Sequence, residues 1–239
     1  MVGTTDPKQN MVLAALPTSE YRHIASGLEL VVLQAGVSLY ESGMRMEYVH
    51  FPLDCIVSLL YIMKNGASAA IALVGREGIV GVSIFMGGGS TPSRAMVQTP
   101  GWSYRLKSST LSSEFERHGR FQHLLLNYTQ ALITQMSQTA VCNRHHSLDQ
   151  QLCRWLLLSL DRLPSNKIEM TQELIANLLG VRREGVTEAA GKLQEQGAIE
   201  YRRGHITVLD RGKLEAGVCE CYRVVKDEYD RLLPHVSAA

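Results

Sequence analysis

The chain has 239 residues, and 24 lysines and arginines against 23 aspartates and glutamates give a formal net charge of +1. That length suits one large domain or two small ones, and 45% hydrophobic with 20% charged residues excludes wholesale disorder. The balance also excludes a polycationic coat for nucleic acid or acidic membrane, although it leaves room for a local basic patch.

Residues 1–10 are polar and lack the basic start and apolar run of a signal peptide. The most apolar stretches, 56–63 and 152–160, fall short of the ~20 residues that a bilayer span needs. A cytoplasmic chain without a membrane segment is therefore expected. Cys55, Cys142, Cys153, Cys219 and Cys221 are too sparse and scattered for a disulfide framework and read as reduced thiols. Only Cys219 and Cys221 are sequence neighbours. No further ligands stand at matching spacing, so no metal site is expected there.

A short helix is predicted around residues 19–26. Strand-forming runs follow at 28–33, 48–51, 56–63, 68–74, 94–98 and 102–106. Lys64-Asn65-Gly66 signals a tight hairpin, because Asn-Gly accepts positive φ angles. Short strands at this spacing predict a jelly-roll-like β-domain over residues 1–108. The period then becomes helical, and residues 109–143 contain no proline and a single glycine, Gly119. Phe121, Leu125, Tyr128, Leu132, Gln135 and Thr139 form one stripe, with Leu126, Ile133, Met136 and Ala140 beside it. One stripe suits the β-domain and the other a partner helix. A dimerisation helix and hinge are thus expected over 109–146, followed by a C-terminal unit over 147–239, where 148–160 reads as a buried helix around Trp155.

The strongest signal is TQELIANLLGVRREGVTEAAGKL, residues 171–193. Thr171 can cap a helix with Glu173 in its first turn, and Gly180 can end it in a sharp turn. A second helix runs over 183–196 to Gly197. Ile175, Leu179, Val181, Val186 and Ala189 are predicted to face inward, with the small Ala176 where the backbones approach. Two strands, 198–201 and 205–209, then flank Arg202-Arg203-Gly204. A helix-turn-helix followed by a β-hairpin is a winged helix, whose basic tip can reach phosphate.

These residues, together with 197–208, resemble the Crp/Fnr superfamily of bacterial transcription regulators. The resemblance covers nearly the whole chain. It implies an α+β protein: an N-terminal β-roll sensor, a long dimerisation helix and a C-terminal winged helix-turn-helix. It implies a homodimer on palindromic double-stranded DNA and RNA polymerase as a partner. By its alignment Arg183 and Glu184 read base edges, consistent with arginine donating to guanine and glutamate accepting from cytosine. Thr171 and Gln172 touch phosphate. Arg182, Thr187, Glu188, Arg202 and Arg203 complete the expected DNA-binding set. Glu188 replaces a family arginine and implies a different half-site, while Arg182 replaces the usual serine cap. Gly185 is expected to allow close approach to the DNA backbone, at a cost of about 1 kcal/mol to the helix.

The family's cyclic-nucleotide members cradle phosphate with Gly-Glu-Leu and, after a loop, Arg-Ser-Ala. Here Gly81, Gly88, Ser93 and Arg94 are the corresponding effector-binding candidates. Val82 stands where the ribose-binding glutamate would be, which argues against cyclic nucleotide in the usual mode. The glycine run 87–89 could instead offer N–H groups to an anion; the alternative is a plain turn with Arg94 paired to a carboxylate. The effector is unassigned, and the sequence assigns no cofactor. His23, His50 and His118 form no metal-ligand pair, Cys55 stands alone in the β-domain, and His145-His146 reads as a hinge or surface pair. No nucleophile elbow, P-loop or triad is present, so an enzyme is not expected. The alternatives weighed are a metal-dependent cupin-like enzyme and a protein-interaction module whose winged helix no longer binds DNA. Leu214, Val218, Tyr222, Val225, Tyr229 and Leu232 predict one further amphipathic helix against the winged helix.

Overall fold

The computed structural model describes residues 5–233; the first four residues of the polar start and residues 234–239 of the C-terminal unit lie outside them. Two helices, α1 (Met11–Ala14) and α2 (Thr18–Ala25), lead into strands β1 (Glu29–Leu33), β2 (Ser38–Tyr40), β3 (Tyr48–Pro52), β4 (Ile56–Ile62), β5 (Ser68–Val74), β6 (Arg94–Thr99) and β7 (Gly101–Lys107). They form two antiparallel sheets, ordered β1-β7-β3 and β2-β6-β4-β5. Leu33, Phe51 and Leu106 from the first and Val57, Leu59, Ala95 and Val97 from the second are buried in one core. The expected β-roll is present, with β2 as an unforeseen strand.

The β4–β5 loop departs from a turn with two positive φ angles. Gly66 alone takes one (φ 85), while Asn65 accepts the Ala67 N–H through its side chain at 3.0 Å. Met63 and Ala67 close a three-residue loop, for which a left-handed glycine in last position is the usual solution.

The helical stretch after the roll is broken. α3 (Ser108–Phe115) ends in a turn where His118 adopts φ 58, and α4 (Arg120–His145) starts afresh. Glu20, a hundred residues away in the chain, accepts the Arg120 and Phe121 N–H groups at 3.0 and 2.7 Å and caps α4. The first stripe of α4 is buried throughout; Leu126, Ile133 and Ala140 of the second are exposed, and Met136 is half-buried. Gln135, on the buried stripe, accepts from Leu73 N–H and donates to Leu73 C=O, both at 3.1 Å. It thereby satisfies edge strand β5, which has no strand neighbour on that side.

The remaining elements are α5 (Leu148–Leu160), β8 (Lys167–Glu169), α6 (Gln172–Leu179), α7 (Arg183–Glu195), β9 (Ile199–Arg202), β10 (His205–Val208), α8 (Arg211–Gly217) and α9 (Cys221–Leu232). α5 has the expected bounds, opens with a Ser147–Gln150 capping box and buries Trp155. The wing gains a third strand, in the order β8-β10-β9. The single predicted tail helix is instead two, and α9 packs chiefly on α4. Tyr229 meets Tyr128 edge-on there, with ring centroids 6.3 Å apart.

A buried ion pair joins the roll to the C-terminal unit. Arg162 Nε lies 2.8 Å from Glu77 Oε1, with side chains 4% and 12% exposed. Burial disfavours the Arg162 charge, but Glu77 foremost, together with Tyr229, Asp161 and Tyr128, outweighs it and raises the guanidinium above its ordinary value. Gly75 and Gly78 make the junction close: a Cβ on Gly78 would stand 2.1 Å from the Tyr128 ring, and one on Gly75 2.6 Å from Arg162 Cβ.

Candidate nucleic-acid interface

The interface is built on α6, α7 and the wing. Thr171 caps α6 by accepting the Leu174 N–H at 3.2 Å, and Gly180 ends it in the left-handed conformation (φ 69), its N–H donating to Ala176 C=O. Arg182 precedes α7 without a side-chain cap, as its chemistry predicts. Ile175, Ala176, Val186 and Ala189 are buried as expected. Leu178 takes the buried place expected of Leu179; Leu179 and Val181 are half-buried. Gly185 also needs a different explanation. A Cβ there would lie 2.8 Å from Leu148 Cδ2, so the glycine admits α5 rather than DNA.

The wing turns on Arg203 (φ 47) and Gly204 (φ 86), between the paired Arg202 and His205. Two positive φ angles make a two-residue turn that matches the strand twist. The conformation is uncommon for a non-glycine residue, and it holds the Arg203 backbone at the tip. Tyr201 anchors the sheet to the helices by donating from its hydroxyl to Met170 C=O at 3.1 Å, while its N–H donates to Gln194 at 3.2 Å.

Thr171, Gln172, Glu173, Arg183, Tyr201, Arg203 and Gly204 line one concavity between α6, α7 and the wing. The Thr187 hydroxyl is shared between Gln172 Oε1 at 2.8 Å and Arg183 C=O at 3.0 Å, tying the two helices together. Arg182, Arg183 and Arg203 have no ion-pair partner among the described residues. Arg202 does: its Nε is 2.8 Å from Glu200. Glu184 is exposed on the first turn of α7, and Glu188 is held by Lys192 at 3.0 Å. Lys192 also reaches Asp149 of α5 at 3.2 Å.

The effector candidates do not form an open anion cradle. Arg94 Nε donates to Glu41 at 2.6 Å, the plain-turn alternative of the sequence. The N–H groups of Gly88 and Gly89 both donate to Ser83 C=O. Ser93 is buried, with its hydroxyl 3.2 Å from that of Thr91 and 3.5 Å from that of Tyr40. Gly81 (φ 124) lies against Val49 and Ile84.

Cysteine and histidine placement corrects the sequence reading. His146 is not a surface residue without thiol neighbours. Its Nδ1 lies 3.5 Å from Cys221 Sγ, and Cys142 Sγ lies 3.6 Å from Cys219 Sγ. The ligand atoms of all four residues fall within 4.8 Å of one another, a donor set able to hold a metal ion. Sequence spacing hid the group, since its halves are 77 residues apart. Burial pushes the Cys142 and Cys221 thiols up from their ordinary values.

The architecture is a β-roll joined by a long helix to a winged helix-turn-helix. Residues 150–216 match the family model of the Crp-like helix-turn-helix domain. No curated protein matches the chain in sequence. Among solved structures, a protein from Eubacterium rectale assigned to the Crp/Fnr family is similar, with a TM-score of 0.68 at 16% identity, over 90% of this chain and 99% of that one. FixK2 from Bradyrhizobium japonicum has a TM-score of 0.65 at 16% identity, over 80% and 98%. The c-di-GMP-responsive global regulator CLP of Xanthomonas campestris has 0.63 at 12%, over 80% and 99%. The chain carries the Crp-like helix-turn-helix and the fold of the Crp/Fnr regulators, and the resemblance drawn from its sequence is borne out. No helix among the described residues is long and apolar enough to cross a membrane.

Proposed function

We propose that the protein is a homodimeric, sequence-specific regulator of transcription, acting in the cytoplasm on palindromic double-stranded DNA. The observation that carries this reading is the set of unpaired guanidinium groups at Arg182, Arg183 and Arg203. They stand at the start of α7 and the tip of the wing, around the concavity lined by Thr171 and Gln172. Arg183 and Glu184 read base edges in the major groove, and Arg203 contacts phosphate from the wing. Arg202 is a weaker contact, because it must first release Glu200. Leu126 and Ile133, 43% and 49% exposed and seven residues apart on α4, supply the dimer seam. A two-fold axis along that seam sets the two recognition helices about 34 Å apart.

Low net charge makes non-specific affinity weak, so base contacts and dimer geometry supply selectivity. RNA polymerase is the expected protein partner. The effector stays unassigned; cyclic nucleotide in the usual mode is disfavoured by Val82 and by the Arg94–Glu41 pair. The protein binds rather than catalyses. Gel-shift titration at fixed salt tests the interface. Arg183→Ala is expected to collapse the ratio of specific to non-specific affinity, by about 1–3 kcal/mol per half-site. An unchanged ratio overturns the reading.

A further inference from the structure

We propose that Cys142, His146, Cys219 and Cys221 bind one divalent ion of the zinc class, which clasps the end of the long helix to the segment joining α8 to α9. Cys142 lies in the last turn of α4 and His146 just past its end, Cys219 in the α8–α9 connection, and Cys221 at the first residue of α9. Tetrahedral coordination with Zn–S of about 2.3 Å and Zn–N of about 2.0–2.1 Å requires edges of about 3.8 Å between sulfurs and about 3.6 Å between sulfur and nitrogen. The Cys142–Cys219 and Cys221–His146 edges are 3.6 and 3.5 Å. With every ligand atom within 4.8 Å of the others, the space surrounds a single ion and not a multi-iron cluster. Three thiolates and an imidazole fill all four positions, which is the donor set of a closed structural site and leaves no place for a reacting water.

Two surrounding groups point the same way. His146 turns Nδ1 toward Cys221 and Nε2 toward Glu220, 3.4 Å from its carboxylate oxygen. A ligating histidine commonly donates its other N–H to a carboxylate, which fixes its tautomer and orientation. Arg154 supplies the charge. Its side chain is buried, its Nε has no hydrogen-bond partner, and it pairs with no carboxylate among the described residues. Burial, with a smaller effect of Arg162, lowers the Arg154 pKa, and the groups that oppose this are Cys142, Cys221 and Cys219. Three thiolates around a dication carry one net negative charge, which Arg154 balances; binding releases three thiol protons to solvent.

The three cysteines also pack as a cluster separate from the main hydrophobic core. A Cys142–Cys219 disulfide would require the sulfurs to close to about 2.05 Å and would leave Cys221 and His146 unexplained. The ion sits where α4 hands over to α5, so it holds the DNA-binding unit at its hinge. This last role rests on the DNA-binding reading above, whereas the metal site does not.

The test uses untagged full-length protein purified anaerobically without chelator. Elemental analysis is expected to find about one zinc per chain, falling to near zero in Cys142→Ser and Cys221→Ser but kept in Cys55→Ser, whose cysteine is buried in the β-roll. Metal-stripped wild-type protein titrated with cobalt(II) is expected to show the visible bands of tetrahedral thiolate coordination at a one-to-one endpoint. This measurement decides the matter even if the serine variants fail to fold. Zinc at a thousandfold excess over its Kd is expected to raise Tm by about 10 °C, and Glu220→Gln to weaken affinity about 10-fold. Folded wild-type protein that takes up neither ion, metal retained by both serine variants, a Cys142–Cys219 disulfide in the protein as purified, or an unchanged Tm would each overturn the proposal. Gel shifts with metal-loaded Arg183→Ala separate failure of the clasp from failure of the DNA reading.

Discussion

Replacing Glu77 by glutamine leaves the size of the side chain almost unchanged and removes the carboxylate that faces Arg162. The guanidinium then stays in a site where its side chain is only 4% exposed. Breaking a buried pair from one side costs about 3–5 kcal/mol. The lower end applies here, because Glu77 is itself 12% exposed and the Tyr229 ring remains 5.5 Å from the guanidinium carbon. About 3 kcal/mol corresponds to a fall in Tm of about 6–12 °C for a chain of this size. Because the pair joins the β-roll to the DNA-binding unit, a second signature accompanies the loss. Calorimetry of Glu77→Gln is expected to resolve two transitions where the parent shows one. Arg162→Met should cost a similar amount, and the double variant less than the sum of both, with a coupling of about 1–3 kcal/mol. A single transition, a loss below about 1 kcal/mol and additive effects would together refute the argument that this pair welds the two units.

His50 makes stability depend on pH. Burial, aided by the Arg105 charge, lowers its pKa from 6.5 to about 4, so the unfolded chain takes up a proton that the folded chain refuses. Stability is therefore full above about pH 6.5 and falls by about 3 kcal/mol as pH drops toward 4, then levels off; urea titrations across this range should show the slope in the parent and lose it in His50→Asn. On the long helix, Ile133→Glu places a carboxylate in the exposed stripe and is expected to leave a folded monomer by sedimentation velocity. A dimer of unchanged affinity would remove α4 as the seam.

How much was legible in the sequence follows from the range of the interactions concerned. The runs that became β4, β5 and β7 carry their own periodicity, and Thr171, Gly180 and Gly197 punctuate the recognition unit through local backbone chemistry. β2 and β8 have three residues each, too few for an alternation to register. The break before α4 depends on Glu20 capping from the far end of the roll, which no local window contains. Gln135 looked like a flaw in an apolar stripe; its amide instead completes the edge of β5. The metal-ligating group is the extreme case. Cys142 and His146 have helical spacing, yet their partners become neighbours only when α9 folds back on α4.

The contact beneath Gly180 has one further consequence. A Cβ at that glycine would sit 3.4 Å from Ala69 Cβ, so the turn between α6 and α7 rests directly on strand β5. Helices α6 and α7 are thus supported from behind by the sheet of the β-roll as well as by α5. A body held at two points cannot pivot smoothly about either. Rotation of the recognition unit must first separate the turn from β5, and packed surfaces of this kind part abruptly. The turn and β5 consequently form one packed surface, so a rigid-body movement of α6 and α7 away from the roll would cost the Gly180–Ala69 contact and uncover β5.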